Sequence, residues 1–221
     1  MLATADFQEI IRRDEPLAPH TWMKVGGPAQ YLIEPRTFEE LSNVLQSCRE
    51  EGLPYRILGG GSNLLVKDEG VSGVVLKLSG EAFSKTEIQS DNSVTAGAGC
   101  TLSNLISHTV KAGLAGLETL VGIPGSVGGA LHGNAGGKSG DIGQFCESVT
   151  GLNAQGEKVT RSGEELFFEY RSSNHGRPAD SGSDVFPPAR ECGRHYPSHA
   201  DSLDYQKGNP AFQLPVGGVH L

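Results

Sequence analysis

Glycine constrains this chain more than any other residue type. There are 31 among 221 residues, about twice the usual share of roughly 7%. They are clustered rather than spread as a flexible linker would spread them. A glycine cluster between periodic apolar segments marks backbone that must turn sharply or let another group come close. The first cluster is Leu58-Gly59-Gly60-Gly61-Ser62-Asn63-Leu64. Three glycines after a strand allow positive φ and bring several N–H groups to one concave point, a nest for phosphate oxygens. Ser62 and Asn63 can add side-chain donors. A tight surface turn uses the same residues.

The second cluster is Gly122-Ile123-Pro124-Gly125-Ser126-Val127-Gly128-Gly129-Ala130, followed by Gly133-Asn134-Ala135-Gly136. Pro124 stiffens the loop, and Ser126 can cap a helix whose first amides face an anion. Gly128, Gly129 and Ala130 give that helix a face without bulk, against which a flat or extended ligand can lie. Close helix packing is the alternative use of such a face.

Two nucleotide-binding patterns are excluded. Gly133 to Ser139 approaches a P-loop, but Gly133 stands one residue too close to Gly137 and no strand precedes it. No G-x-G-x-x-G follows the first strand, which excludes a nicotinamide Rossmann site.

The elements around the clusters follow from periodicity. Residues 1–19 read as a short amphipathic helix with a Pro-bounded lead-in. Ala29 to Glu34 reads as a strand stopped by Pro35. Thr37 caps a helix with the stripe Leu41, Val44, Leu45 and Cys48, closed by Gly52. Tyr55 to Leu58 is a buried strand, which makes a β-α-β unit with its glycine loop after the second strand. Val74 to Leu78, Ala82 to Gln89 and Ser93 to Ala98 read as strands. A second helix runs from the Thr101 cap to about Lys111 and is closed by Gly113. Ser148 to Asn153 and Lys158 to Thr160 read as a hairpin. Glu164 to Phe168 reads as a helical turn before Tyr170-Arg171-Ser172-Ser173-Asn174. An arginine is permanently charged and suits a carboxylate or enolate, although a lone arginine is more often simply a surface residue.

Composition narrows the function classes. Net charge is −8 with acids and bases interleaved, which argues against nucleic acid as a partner. No apolar run approaches a membrane span, and the start lacks a secretory pattern. Cys48, Cys100, Cys146 and Cys192 form no CxxC pair, so a cytoplasmic protein with reduced thiols is expected. Cys192, His195 and His199 have zinc-like spacing but lack an obvious fourth ligand; no metal is expected.

The order of the pieces carries a resemblance. HTWMKVGGPA, LGGGSNLLV, VTAGAGCTLSNLI, GLAGLETLVGIPGSVGGALHGNAGG and FEYRSSN occur in the order and spacing of UDP-N-acetylenolpyruvoylglucosamine reductases, which the chain resembles over about residues 18–174. The resemblance implies an α+β, vanillyl-alcohol-oxidase-like (PCMH-type) FAD-binding fold of two α/β subdomains. The expected division is a lead-in over 1–19, FAD-binding subdomain 1 over 20–79, an incomplete subdomain 2 over 80–174 and an irregular tail over 175–221. It implies that Gly59, Gly60, Gly61, Ser62 and Asn63 hold the FAD pyrophosphate. Gly122, Ile123, Pro124, Gly125, Ser126, Gly128, Gly129 and Ala130 then line the flavin, with Asn134, Ala135, Gly140 and Ile142 nearby. Arg171 matches the family's active-site arginine, which polarises the enolpyruvyl carboxylate. NADPH is the implied hydride donor and a UDP-sugar enolpyruvate the implied substrate. The implied product, UDP-N-acetylmuramate, is a peptidoglycan precursor. Another flavoprotein oxidase of the same superfamily, or an inactive flavin-binding remnant, are the alternatives.

The resemblance stops near Asn174. Residues 175–221 hold six of the twelve prolines and four of the seven histidines and show neither helical nor strand period, which reads as an unstructured tail without a complete substrate domain. The family's proton-donor serine, in an S-A-G-C-like motif, and its C-terminal carboxylate have no counterpart. Ser172 and Ser173 do not match the donor motif. A reading-frame change near Asn174 is expected. Read one nucleotide later, permitted codons for Pro215 to Leu221 encode Q-S-A-G-C-I, and the DNA around codon 174 tests this. Little turnover is expected of such a chain.

Overall fold

The computed structural model describes residues 7–153 and 155–174. The 175–221 tail, with Cys192, His195, His199 and the proposed frame change, lies outside the described residues. Four strands form the first sheet in the order β1-β2-β4-β3: β1 Ile11–Pro16, β2 Pro28–Ile33, β3 Tyr55–Leu58 and β4 Val71–Lys77. Strands β2 and β3 each run parallel to β4, and β1 is antiparallel to β2. The β-α-β unit therefore exists, but β4 is inserted between its two strands. That insertion places Lys77 opposite Leu58, the residue before Gly59.

Helix α1, Phe38–Glu50, covers one face of this sheet. Thr37 caps it by accepting from the Glu40 amide at 3.1 Å, Glu39 and Glu40 complement the helix N-terminus, and Gly52 closes it at φ 64°. Its stripe Leu41, Val44, Leu45 and Cys48 packs with Ile33, Val74 and Leu76. Leu17, Ala29, Leu32, Leu58 and Val75 fill the opposite face.

Among the described residues the expected helix does not extend past Phe7, and residues 8–10 form a turn. Phe7 and Ile10 enter the core beside α1, and the charged run Ile11–Pro16 is an edge strand. Edge strands tolerate charge because one face and one edge meet water, and such a run mimics helical amphipathicity. Residues 11–16 are thus part of the first sheet.

The second layer begins with α2 Glu81–Ser84, then β5 Thr86–Ile88 and β6 Val94–Ala96 as an antiparallel pair. The expected strand from Ala82 is therefore a helical turn first, because Phe83 must reach full burial in the core of the first layer. Helices α3 Leu102–Lys111 and α4 Val127–His132 follow, then the hairpins β7 Gly136–Gly137 with β8 Gly140–Asp141, β9 Ser148–Leu152 with β10 Lys158–Ser162, and β11 Phe168–Glu169 with β12 Ser172–Ser173. The helical turn expected at Glu164 is a 3₁₀ turn over Gly163–Glu165, and Phe168 belongs to a strand. Leu102, Leu105, Leu120, Val127, Leu131, Ile142 and Val149 form the core of this layer. No helix among the described residues is long and apolar enough to cross a membrane.

Candidate functional site

A cleft of about 1830 Å³ separates the two layers. It exceeds the ~300–1,000 Å³ of an ordinary small-molecule pocket, which leaves room for an extended dinucleotide. Its walls come from β3, Lys77 to Ser79, α3, the loop from Val121 to Ser126, and α4, with Trp22 at one side. Of the expected site residues, Gly59, Gly60, Gly122, Ile123, Pro124, Gly125, Ser126, Gly128 and Gly129 line it.

The two glycine clusters clasp one another. A Cβ on Gly60 would stand 2.7 Å from Gly125 Cα, and one on Gly59 would stand 2.6 Å from Ser126 Oγ. The Ser62 hydroxyl donates to the Pro124 carbonyl at 3.0 Å, so its hydrogen is spent on joining the loops rather than on a ligand. In the first cluster only Gly61 has positive φ, at 66°. Gly59 and Gly60 are glycine because the second loop leaves no space for a side chain, not because the turn needs their freedom.

The first loop and the start of α4 differ in their free donors. The amides of Gly60, Gly61 and Ser62 have no acceptor among the described residues. Three consecutive free N–H groups in one loop are the donor set a diphosphate requires. In α4 the first amides are consumed. Val127 N donates to Cys100 O at 2.8 Å and Gly128 N to Ala98 O at 2.9 Å, while Gly129 N donates to the Ser126 hydroxyl at 3.3 Å. Ser126 is the cap that was expected, but the helix offers none of these amides to an anion. Its contribution is the bulk-free wall of Gly128 and Gly129.

Other expected residues stand behind the cleft. Ala130 and Ile142 are buried in the second core and Ala135 packs against it. Asn134, at φ 42°, is a clamp: its Oδ1 accepts from Gly143 N at 3.1 Å and its Nδ2 donates to Glu169 O at 3.2 Å. Gly140, at φ 132°, is the first residue of β8. Of the P-loop-like Gly133 to Ser139, Gly133 closes α4 and Gly136 and Gly137 form β7, with no strand-to-helix junction. Arg171 occupies the exposed β11–β12 turn at φ 59°, outside the residues that line the cleft. The Ser173 hydroxyl, donating to His132 O at 2.9 Å, docks that hairpin on the end of α4, and His132 does line the cleft.

Sequence patterns missed a charged group behind the first loop. Lys77 lines the cleft and lies 3.1 Å from His20 Nδ1 and 3.3 Å from Glu34 Oε1. Glu34 also accepts from the Ser79 hydroxyl at 2.8 Å and from Arg12. Burial opposes the Glu34 charge, but the Ser79 bond and the Lys77 and Arg12 cations outweigh it, and its pKa is lowered. The sequence signal was a lysine closing the strand that neighbours a glycine loop, where α/β sheets place their ligands.

An FAD-binding-domain family model matches residues 29–162. The UDP-N-acetylenolpyruvoylglucosamine reductase of Rhodopirellula baltica is 42% identical over 168 residues, covering 76% of this chain and 55% of its own length. The crystal structure of the reductase of that name from Thermus caldophilus superposes with a TM-score of 0.67 at 35% identity, covering 90% of this chain and 70% of the other. The chain belongs to the UDP-N-acetylenolpyruvoylglucosamine reductase family of FAD-binding proteins. It spans about half the length of the curated relatives it matches. The 6-hydroxy-D-nicotine oxidase of Arthrobacter nicotinovorans, at TM-score 0.55 and 18% identity over 88% of this chain and 41% of its own, shares the fold alone. The architecture is the vanillyl-alcohol-oxidase-like, PCMH-type α+β fold.

Proposed function

We propose that this chain forms the flavin-binding part of a cytoplasmic NADPH-dependent reductase acting on UDP-N-acetylglucosamine enolpyruvate. The observation that carries the reading is the pair of clasped glycine loops, the first presenting three free amides and the second leading into the bulk-free face of Gly128 and Gly129. FAD, when bound, supplies hydride transfer from NADPH to C3 of the enolpyruvyl group. Gly60, Gly61 and Ser62 hold the diphosphate, while Gly128 and Gly129 keep the opposite wall flat. Arg171 is proposed to bind the enolpyruvyl carboxylate and stabilise charge there until a proton arrives at C2. Its place in the FEYRSSN segment supports this role, as does the docking of its hairpin on α4. No described residue is assigned as the proton donor. The 221 residues by themselves are therefore proposed to bind flavin weakly and turn over negligibly.

The reading is tested on the purified chain. Stoichiometric FAD binding supports the flavin cradle, and its absence overturns it. NADPH oxidation that depends on the enolpyruvyl sugar nucleotide identifies the reductase. Oxidation of an unrelated substrate with oxygen would favour another oxidase of this fold. Rapid turnover by the isolated chain would overturn the assignment of no proton donor.

A further inference from the structure

The free amides of the first loop carry partial charges only, and the α4 amides are spent, so a full charge beside a diphosphate can come only from a side chain. Four lysine or arginine side chains line the cleft: Arg49, Arg56, Lys77 and Lys111. Lys77 is the one tied to the loop, by three separate observations. Its strand partner is Leu58, directly before Gly59. Its ammonium touches His20, whose own carbonyl lies 2.1 Å from where a Gly61 Cβ would stand. The chain after His20 is hydrogen-bonded to the same glycine, Trp22 N to Gly61 O at 3.0 Å.

The surroundings hold the ammonium without cancelling it. A lysine can only donate, so in this contact His20 accepts on Nδ1. Nε2 is buried without a hydrogen-bond partner, with Glu15 Oε1 at 3.6 Å. Glu34 is shared among Lys77, Arg12 and Ser79. Two contacts to Lys77 leave one of its three donors.

We infer that Lys77 supplies the positive charge for the diphosphate of the bound dinucleotide, and that His20 and Glu34 are positioning residues for its ammonium. The inference rests on the flavin-cradle reading above and extends it to residues outside the glycine loops. Lys77 thereby makes the site selective for phosphate-bearing flavins over the bare ring system.

Trp22 is the only tryptophan and lines the cleft, so quenching of its emission by flavin gives a binding curve independent of turnover. FAD, FMN and riboflavin are titrated into the full chain and into Lys77→Met, Lys77→Arg, His20→Leu and His20→Asn, with thermal unfolding of each apoprotein. Lys77→Met is expected to weaken FAD roughly tenfold to a hundredfold, as for loss of a charge-assisted hydrogen bond, and to leave riboflavin unchanged. Lys77→Arg should retain most of the FAD affinity. His20→Leu should mimic the loss in part, and His20→Asn, which keeps an acceptor near the Nδ1 position, should restore it. An equal loss for FAD and riboflavin, or none for FAD, would overturn the inference while leaving the cradle intact. If the wild-type chain binds no flavin, both fall together.

A second measurement needs no variant. The wild-type chain is acylated at its amines and Lys77 is followed by peptide mass mapping, with exposed Lys138 as reference. FAD should protect Lys77 and riboflavin should not; equal acylation with FAD bound would overturn the inference.

Discussion

The two glycine loops look alike in sequence and do opposite work. Gly60, Gly61 and Ser62 keep their amides free, whereas Val127, Gly128 and Gly129 give theirs to Cys100, Ala98 and Ser126. The first loop is a donor set, and the helix that follows the second is a wall. The difference arises from what lies behind each. The first loop is backed by the turn that begins at His20, which takes up its Gly61 carbonyl and not its amides. The second starts a helix buried against the turn from Ala98 to Cys100, whose carbonyls face the helix start. Glycine content says that backbone comes close; it does not say whether the close neighbour is protein or ligand.

The largest expected effect comes from Gly61→Ala. Its φ of 66° disfavours a side chain, and the new Cβ would stand 2.1 Å from the His20 carbonyl. Strain and displacement together are expected to cost roughly 2–4 kcal/mol, read as a lower urea midpoint, with FAD binding lost. A midpoint within error of wild type would mean the loop is not held against the His20 turn.

Ser126→Ala tests the wall as a structural element. It removes the hydroxyl that accepts from Gly129 N, at a cost of about 1 kcal/mol. Because α4 gives no donor to phosphate, the variant should weaken FAD and riboflavin by the same factor. A loss confined to FAD would return α4 to the role of an anion site and erase the contrast between the loops.

Gly129→Ala separates stability from binding. The residue is helical, and its Cβ would meet only Ser126 Oγ at 3.4 Å, an ordinary contact. Alanine in place of helical glycine is worth roughly 0.5–1 kcal/mol, so the midpoint should hold or rise slightly while affinity for every flavin falls. Unchanged flavin affinity would show that the ligand does not lie against this face.

How much of this was legible follows from where the information resides. Helices α1 and α3 were readable because stripe, cap and closing glycine all lie close together in the chain, as with Thr37, Leu41 and Gly52. The Ser126 cap was local too. Strand β1 was misread because a charged edge strand and an amphipathic helix share a pattern. The insertion of β4 between β2 and β3 is topology, which no local period encodes. The cluster of Lys77, His20 and Glu34 depends on that insertion, since 57 residues separate Lys77 from His20. The spent amides of α4 depend on carbonyls at Ala98 and Cys100, where Gly97 and Gly99 let the chain run against Phe83 and Leu78.

The smallest expected effect concerns the charged backing that only the first loop has. The folded pKa of Glu34 lies below its unfolded value, with burial opposing the shift and Ser79, Lys77 and Arg12 producing it. Its stabilisation is therefore complete above the ordinary carboxylate range and is lost as pH falls through the lowered value. Wild type and Glu34→Gln should differ in melting temperature at neutral pH, and the gap should close on acidification. Because Lys77 loses an anchor in the variant, FAD affinity should fall at neutral pH while riboflavin affinity stays. A melting gap that persists in acid would show that Glu34 acts through packing and shape rather than charge. The first loop would then be no more dependent on electrostatics than the second.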